Sequence, residues 1–355
     1  KNVSTSYDIH IGRNILDRIA LLIANNHLAT NYCIVTDTTV SQLHILSLVE
    51  QMKFAGIETK TIEIPAGEKS KNINTVMDIA NKLLQMGFDR SSMLIALGGG
   101  VVGDITGFVA SIYMRGIPYI QIPTTLIAQT DSAIGGKTGV DLDSGKNLIG
   151  TFTQPKAVFI DLKFLDTLSQ TDFNNGLSEV IKYGLIESAE FFLYLENNKD
   201  KILVRDALVI EKIVETSCNI KKEIVSFDEK ESGLRRILNF GHTFAHGIEV
   251  ASNYSITHGE AVAMGMVASA RVSKKKHYLP ENVCARLEKL LLSVGLPIKI
   301  PSTISANAII AKMNTDKKKV GDKINFVLLK NIGIPFINDG ISIDDLQAVL
   351  KGMKE

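Results

Sequence analysis

The chain has 355 residues, 45% of them apolar and 22% charged, with a formal net charge of +1. This length accommodates two domains of ordinary size, and a charge so near zero excludes binding to nucleic acid or an anionic membrane surface by bulk electrostatics. Cys33, Cys218 and Cys284 are far apart and lack C-x-x-C spacing, as expected of reduced thiols in a cytoplasmic protein; the N-terminus has no signal-peptide pattern and no apolar run nears the roughly 20 residues of a membrane span.

Tyr32 to Thr36 is an apolar run ending at Asp37, the pattern of a buried strand. Val40 to Phe54 has helical spacing and stops at Gly56; Thr59 to Ile64 alternates as a strand and stops at Pro65. Ile73 to Met86 is amphipathic with Gly87 as its stop, and Met93 to Leu97 is another apolar run. Such alternation of strands and helices predicts an α/β domain built on a mostly parallel sheet with helices on both faces.

After Leu97 comes G-G-G-V-V-G-D, Gly98 to Asp104. A glycine-rich turn between a strand and a helix lets backbone N–H groups approach phosphate oxygens closely; the plain alternative is a tight turn. No acidic residue stands about 20 positions on, where the dinucleotide fingerprint would have one. Asp37, at the end of the earlier strand, is the acidic residue that could hold ribose hydroxyls, or else it caps the following helix. Pro118 to Ile122 is the next strand, with Thr124 and Thr125 just behind it. From Asp131 to Asn147, Lys137, Thr138, Lys146 and Asn147 sit among glycines and apolar residues. We expect a packed loop there, whose lysines need an anion such as phosphate, with Arg115 available to add to it. Ala157 to Asp161 closes this part.

Long helical patterns take over from Thr167, so the domains are expected at 1–166 and 167–355, the second mainly α-helical. Glu179 and Lys182, three apart, share a helix face; alone they read as a surface ion pair. Lys221 lies toward the end of another helical pattern. Arg235, Asn239, His242 and His246 recur at i, i+4, i+7 and i+11, a single polar stripe if the helix is continuous. If Gly241 breaks it, Arg235 and Asn239 approach from a preceding loop. His258 follows a short polar break, Ser252 to Thr257, that could fold it back toward His242 and His246. Three imidazoles so gathered can hold a divalent cation such as zinc, and a Glu with two His would make a three-ligand catalytic site with an open position; the alternative is a structural His pair. The helix after His258 is rich in small residues and can pack closely. Asp316 to Lys319 is a charged loop, Lys323 to Leu329 and Ile334 to Ile337 form a hairpin pattern, and Ile343 to Leu350 a last helix.

Taken together, P-A-G-E-K-S-K (65–71), G-G-G-V-V-G-D (98–104), I-P-T-T-L (122–126), D-S-A-I-G-G-K-T-G (131–139), G-K-N (145–147), E-V-I-K-Y-G (179–184), L-N-F-G-H-T (238–243) and H-G-E (258–260) resemble the 3-dehydroquinate synthase family, in its order and over nearly the whole chain. The resemblance implies a shikimate-pathway lyase that converts 3-deoxy-D-arabino-heptulosonate 7-phosphate to 3-dehydroquinate and phosphate. In that family the steps are transient oxidation by NAD, phosphate elimination, re-reduction and intramolecular aldol closure. It implies zinc or cobalt held by Glu179, His242 and His258, with His246 becoming an active-site proton shuttle. It implies NAD held by Asp37, Gly67, Glu68, Lys71, Gly100, Val101, Val102, Gly103, Asp104, Thr124, Thr125, Lys137, Lys146, Phe164, Leu165, Asp166 and Thr167. Lys221 and Arg235 would bind a substrate carboxylate, and Lys137, Asn147, Asn239 and Lys317 or Lys318 a phosphate. Asp131, Lys146, Lys182 and Glu231 match further active-site positions, Lys146 a substrate-binding one and the others catalytic. Arg115 matches an arginine that reaches the phosphate of the neighbouring subunit, which implies a homodimer. The rival expectations are another sugar-phosphate cyclase, such as a 2-deoxy-scyllo-inosose synthase, or a metal-dependent alcohol or glycerol dehydrogenase. A neutral hexose phosphate would leave Lys221 and Arg235 without a carboxylate to bind, and the phosphate-binding lysines and Glu metal ligand argue against a dehydrogenase.

Overall fold

An apolar strand buried along its whole length must be covered on both faces, and Ser92–Gly98 is such a strand. In the computed structural model, which describes residues 6–142, 145–231, 233–313, 319–320 and 323–354, it lies inside a six-stranded parallel sheet. In chain order the strands are β1 (Asp8–Gly12), β2 (Asn31–Asp37), β3 (Thr59–Ile64), β4 (Ser92–Gly98), β5 (Tyr119–Pro123) and β8 (Ala157–Asp161), and the spatial order is β1-β8-β5-β4-β2-β3. Side chains alternate across β4. Leu94 and Ala96 enter a core with Val76, Ile79 and Leu83 of helix Ile73–Gln85 and with helix Gly100–Ile112. Met93, Ile95 and Leu97 enter the opposite core, with Ile19 and Ile23 of helix Leu16–Asn25 and with Leu48 and Met52. After β2 the chain goes to one side of that strand, and after β3 it returns to β4 on the other. Parallel α/β sheets bind their ligands at such a switch point, outside the carboxyl ends of the strands; here those ends are Asp37 and Gly98.

Two expectations change. The helix expected over Val40 to Phe54 is interrupted by a π turn, Ser41–Ile45. The loop expected over Asp131–Asn147 is a π turn, Ala128–Ser132, followed by an antiparallel hairpin of β6 (Lys137–Leu142) and β7 (Gly145–Phe152). Its glycines allow this: Gly139 and Gly150 lie opposite each other, and a Cβ on Gly150 would stand 2.1 Å from the Thr138 carbonyl oxygen. β1 and helix Leu16–Asn25 were not anticipated.

The chain divides into two compact units, Lys1–Ser169 and Gln170–Glu355. The second is mainly helical: Gln170–Glu187, Ala189–Leu203, Ala207–Phe227, His242–Ala251, His258–Lys275, Glu281–Ser293, Ala306–Met313 and Ile343–Lys351. A hairpin, Phe326–Asn331 with Ile334–Asn338, accompanies them, whereas Lys323–Ile324 pairs separately with Lys319–Val320. The small-residue helix His258–Lys275 is buried along most of its length and packs on helices His242–Ala251 and Gln170–Glu187. Gly265 and Gly259 permit the approach: a Cβ would meet the Gly241 carbonyl oxygen at 2.2 Å in one case and the Asn175 Cα at 2.4 Å in the other. Among the described residues no helix is long and apolar enough to cross a membrane.

Candidate active site

In the first unit, Asp37 ends β2 and caps the next helix, its Oδ1 accepting from the Thr39 and Val40 N–H groups at 2.9 and 3.0 Å. The glycine turn after β4 starts helix Gly100–Ile112, and the Thr124 N–H donates to the Gly98 carbonyl at 2.9 Å. A Cβ on Gly100 would stand 2.9 Å from Ser132 Oγ, and one on Gly103 would stand 2.6 Å from Gln121 Oε1, so side chains at these positions would displace the Ser132 and Gln121 side chains. Val102 is buried and Val101 partly so. Thr124 is 4% exposed, yet its hydroxyl makes no hydrogen bond. Thr125 Oγ1 accepts from the Ala128 N–H.

Lys71 is 5% exposed, and its Nζ donates to Asp104 Oδ2 and Asn147 Oδ1, both at 2.6 Å. Burial works against its charge, but Asp104 and Glu68 outweigh that and raise its pKa above the ordinary lysine value. Gly67 has φ +100° and leads into the turn Glu68–Ser70, and Lys146 Nζ lies 3.6 Å from Glu68 Oε1. Phe164 and Leu165 are buried; Asp166 pairs with Arg13 at 2.5 Å; and the Thr167 hydroxyl bonds His44 Nε2 at 2.9 Å. Lys137 opens β6, Asp131 lies in the π turn before it, and Arg115 sits with Met114 in a left-handed turn (φ +68° and +52°). An ordinary side chain adopts that conformation only at a cost.

In the second unit, Gly241 has φ +82° and breaks the possible continuous helix: Leu234–Asn239 is a 3₁₀ turn and His242 opens the next α-helix. Arg235 and Asn239 therefore approach from the preceding segment. His242 and His258 each begin a helix, and the second start is fixed by a capping box in which Thr257 and Glu260 exchange hydrogen bonds. Thr257 Oγ1 also donates to Asn175 Oδ1 at 2.6 Å, tying the His258 end to the helix that carries Glu179.

Glu179, His242 and His258 bring one ligand atom each to within 4.8 Å of one another. Glu179 is fully buried; its Oε2 pairs with Lys182 and its Oε1 lies 3.2 Å from His242 Nε2, but neither oxygen is filled by a hydrogen bond of good geometry. Burial alone would raise the Glu179 pKa, but Lys182 and His242 hold it well below the ordinary carboxylate range. His242 Nδ1 lies 3.2 Å from the Phe240 carbonyl oxygen, which can only accept, so a neutral imidazole protonated at Nδ1 would keep that bond and leave the Nε2 lone pair for a metal. Burial, partly offset by Glu179, pushes His242 down to about 4. His258 goes the other way: burial lowers it, but Glu179 and Glu249 lift it to about 9. Its side chain is 36% exposed, so solvent screens part of that lift. A buried carboxylate, two imidazoles and no competing good hydrogen bond make a donor set that fits a divalent cation with an open coordination position.

His246 stands one turn beyond His242, ring centroids 5.9 Å apart, and outside that ligand group; spacing alone had put it among the ligands where Glu179 stands. Lys182, Lys221 and Arg235 are all buried, at 2%, 5% and 2% exposure. The Arg235 guanidinium donates to the Glu229 carbonyl, and Asn239 Nδ2 donates to Glu231 Oε1 at 2.6 Å. Lys317 and Lys318 lie outside the described residues. Two acids join these groups without a motif in the sequence to mark them. Glu249, buried and 3.6 Å from His258 Nδ1, follows His242 at i+7 on the same helix face. Asp141, between the two lysines of the hairpin, binds the Asn147 N–H at 2.7 Å.

Residues 61–175 match the family model of the 3-dehydroquinate synthase N-terminal domain, and residues 176–319 that of its C-terminal domain. The chain belongs to the 3-dehydroquinate synthase family. It is therefore an enzyme of the phosphate-eliminating cyclase type. The 3-dehydroquinate synthase of Thermodesulfovibrio yellowstonii is 45% identical over 97% of this chain and 96% of its own, and that of Desulforamulus reducens is 44% identical over the same shares. Among solved structures, a 2-epi-5-epi-valiolone synthase of Streptomyces hygroscopicus with NAD+ and Zn2+ bound has a TM-score of 0.92 at 29% identity, covering 99% of this chain and 98% of its own. A 2-deoxy-scyllo-inosose synthase complexed with carbaglucose-6-phosphate, NAD+ and Co2+ has a TM-score of 0.90 at 25% identity, with the same coverage.

Proposed function

We propose that this 3-dehydroquinate synthase family member is a cytoplasmic homodimer that converts 3-deoxy-D-arabino-heptulosonate 7-phosphate to 3-dehydroquinate and phosphate, using NAD and one zinc or cobalt ion. The observation that carries the reading is the Glu179, His242 and His258 donor set, accompanied in the same unit by two buried cations, Lys221 and Arg235. Their buried positive charge is complementary to a carboxylate, which a sugar acid supplies and a neutral hexose phosphate does not. The turn 100–104, the Thr124 hydroxyl and the cluster around Lys71 support a dinucleotide in the first unit. Three buried cysteines, none joined in a disulfide among the described residues, agree with a reducing compartment.

When bound, the metal supplies Lewis acidity and the dinucleotide a reversible hydride acceptor, so the net reaction is redox-neutral. Glu179, His242 and His258 hold the metal. Lys221 and Arg235 fix the substrate carboxylate; Lys137, Lys146, Asn147 and Asn239, with Lys317 or Lys318, fix the phosphate. Clamping a small flexible molecule at both ends favours the conformer in which phosphate leaves and keeps intermediates bound. His246 carries the proton between the substrate hydroxyl and solvent, a task suited to an imidazole, which can accept at one ring nitrogen and donate at the other. Lys182, paired with Glu179, together with Asp131 and Glu231, orients the groups that touch substrate. Arg115 reaches the phosphate of the second subunit.

The test is phosphate release from the heptulosonate phosphate with catalytic NAD and added zinc, with NADH absorbance followed in parallel. Many phosphates per NAD without net NADH, abolished by chelation and restored by zinc, is the expected result. Accumulating NADH without phosphate would make the protein a dehydrogenase, and turnover by demonstrably metal-free protein would remove the metal assignment.

A further inference from the structure

We infer that Asp141 is a positioning residue for the phosphate end of the substrate: it holds Asn147 in a left-handed conformation and thereby sets the direction of the Asn147 amide. The inference rests on the reading of Asn147 as a phosphate ligand. Three hydrogen bonds close a ring. The Asp141 N–H donates to the Lys71 carbonyl at 2.8 Å, which makes the isolated bridge between Asn72 and Asp141. Asp141 Oδ1 accepts from the Asn147 N–H at 2.7 Å, and Asn147 Oδ1 accepts from Lys71 Nζ at 2.6 Å.

Asn147 has φ +54°, a region most side chains avoid and asparagine tolerates. Glycine would adopt it at less cost, so an amide here is kept for what the amide does. Lys71 carries a cation and can only donate, so the amide oxygen must face it, and the two Nδ2 hydrogens point the other way, on an exposed residue. Lys71 is itself fixed, buried at 5% exposure and paired with Asp104 at 2.6 Å. The amide thus has one end anchored to a rigid cation and its backbone anchored to a carboxylate, with its donors left to meet an oxyanion. A carboxylate near a phosphate site opposes phosphate by its charge, so Asp141 makes physical sense there only as the acceptor that sets the turn. The same ring links residues read as dinucleotide-binding, Lys71 and Asp104, to one read as phosphate-binding.

The experiment titrates inorganic phosphate calorimetrically into protein loaded with NAD and zinc, for the starting chain, Asp141→Ala, Asp141→Asn, Asn147→Ala and the double variant Asp141→Ala/Asn147→Ala. Asp141→Ala is expected to weaken phosphate roughly five- to tenfold, as the loss of one well-made hydrogen bond does. Asp141→Asn keeps the acceptor without the charge and should bind phosphate at least as tightly as the starting chain. In the Asn147→Ala background, Asp141→Ala should cost nothing further, because its effect runs through that amide. A general structural role would instead weaken binding by the same factor in both backgrounds, and that result, or an unchanged affinity in Asp141→Ala, overturns the inference. If Asn147→Ala itself binds phosphate like the starting chain, the reading of Asn147 fails first and the inference falls with it, an outcome the single variant identifies.

Discussion

At the scale of the residue, the carboxylate of Glu179 is held ionised in a dry environment by Lys182 and two imidazoles. Glu179→Gln keeps the shape and removes the charge. It should abolish zinc retention after dialysis against a weak chelator, measured by elemental analysis, and leave Lys182 buried beside a neutral amide at about 3 kcal/mol in unfolding free energy. Retention equal to the parent would take Glu179 out of the metal site. Lys71→Met removes the cation between Asp104 and Asn147 and should weaken NAD binding by roughly tenfold or more, with a matching fall in stability; calorimetry against NAD and a urea melt read the two separately. The three histidines stand out in the sequence because His242 and His246 share a helix face and His258 follows a short polar break. Spacing does not say which turn of the helix faces Glu179, so by itself it leaves His246 among the candidate ligands. Glu249 was overlooked although it lies on the same face at i+7, and Asp141 was overlooked because its partner in the ring, Lys71, is far from it in sequence.

At the scale of the element, breaks decide more than runs. His242 begins its helix immediately after Gly241, whose φ of +82° no L-residue adopts freely and whose Cβ would meet Met266 N at 2.8 Å. Gly241→Ala should therefore cost about 2–4 kcal/mol, from left-handed strain and displacement of the packed helix, and reduce zinc occupancy with it. An unchanged urea midpoint would mean the turn relaxes freely. Asp345, in the first turn of helix Ile343–Lys351, caps with Ser342 and pairs with Lys275, the last residue of helix His258–Lys275, and with Lys276 just beyond it. The Lys276 contact, followed by the Ser342 bond, holds its pKa down to about 2, against 3.8 for an ordinary aspartate. A depressed folded-state value stabilises above the unfolded value and is lost as pH falls through the folded one. Asp345→Asn should therefore lower the urea midpoint equally at pH 7 and pH 5, the gap narrowing only below about pH 4; a gap already closed at pH 5 would refute the pairing. The long apolar strands and amphipathic helices were readable from periodicity. The hairpin β6–β7 was not, because glycines and lysines hide strand alternation, and β1 is too short to stand out.

At the scale of the whole molecule, the proposed homodimer makes its own demand on Arg115. Mixed dimers of Arg115→Ala and Lys221→Ala should regain up to about a quarter of the parental sites, since each variant supplies what the other lacks. No recovery after subunit exchange would confine Arg115 to its own chain or exclude the dimer. The sheet of the first unit has a further consequence for synthesis. Its first strand, β1, pairs in register with its last, β8, from Asp8 opposite Ala157 to Gly12 opposite Asp161. On the ribosome β1 must wait for nearly the entire first unit to emerge before it finds its neighbour, and contacts of such long separation form slowly. Until β1 docks, the newly emerged β8 offers an apolar edge that any other nascent strand can take. The order of the sheet thus sets a window of vulnerability in which chaperone demand peaks, and that window closes when β1 docks.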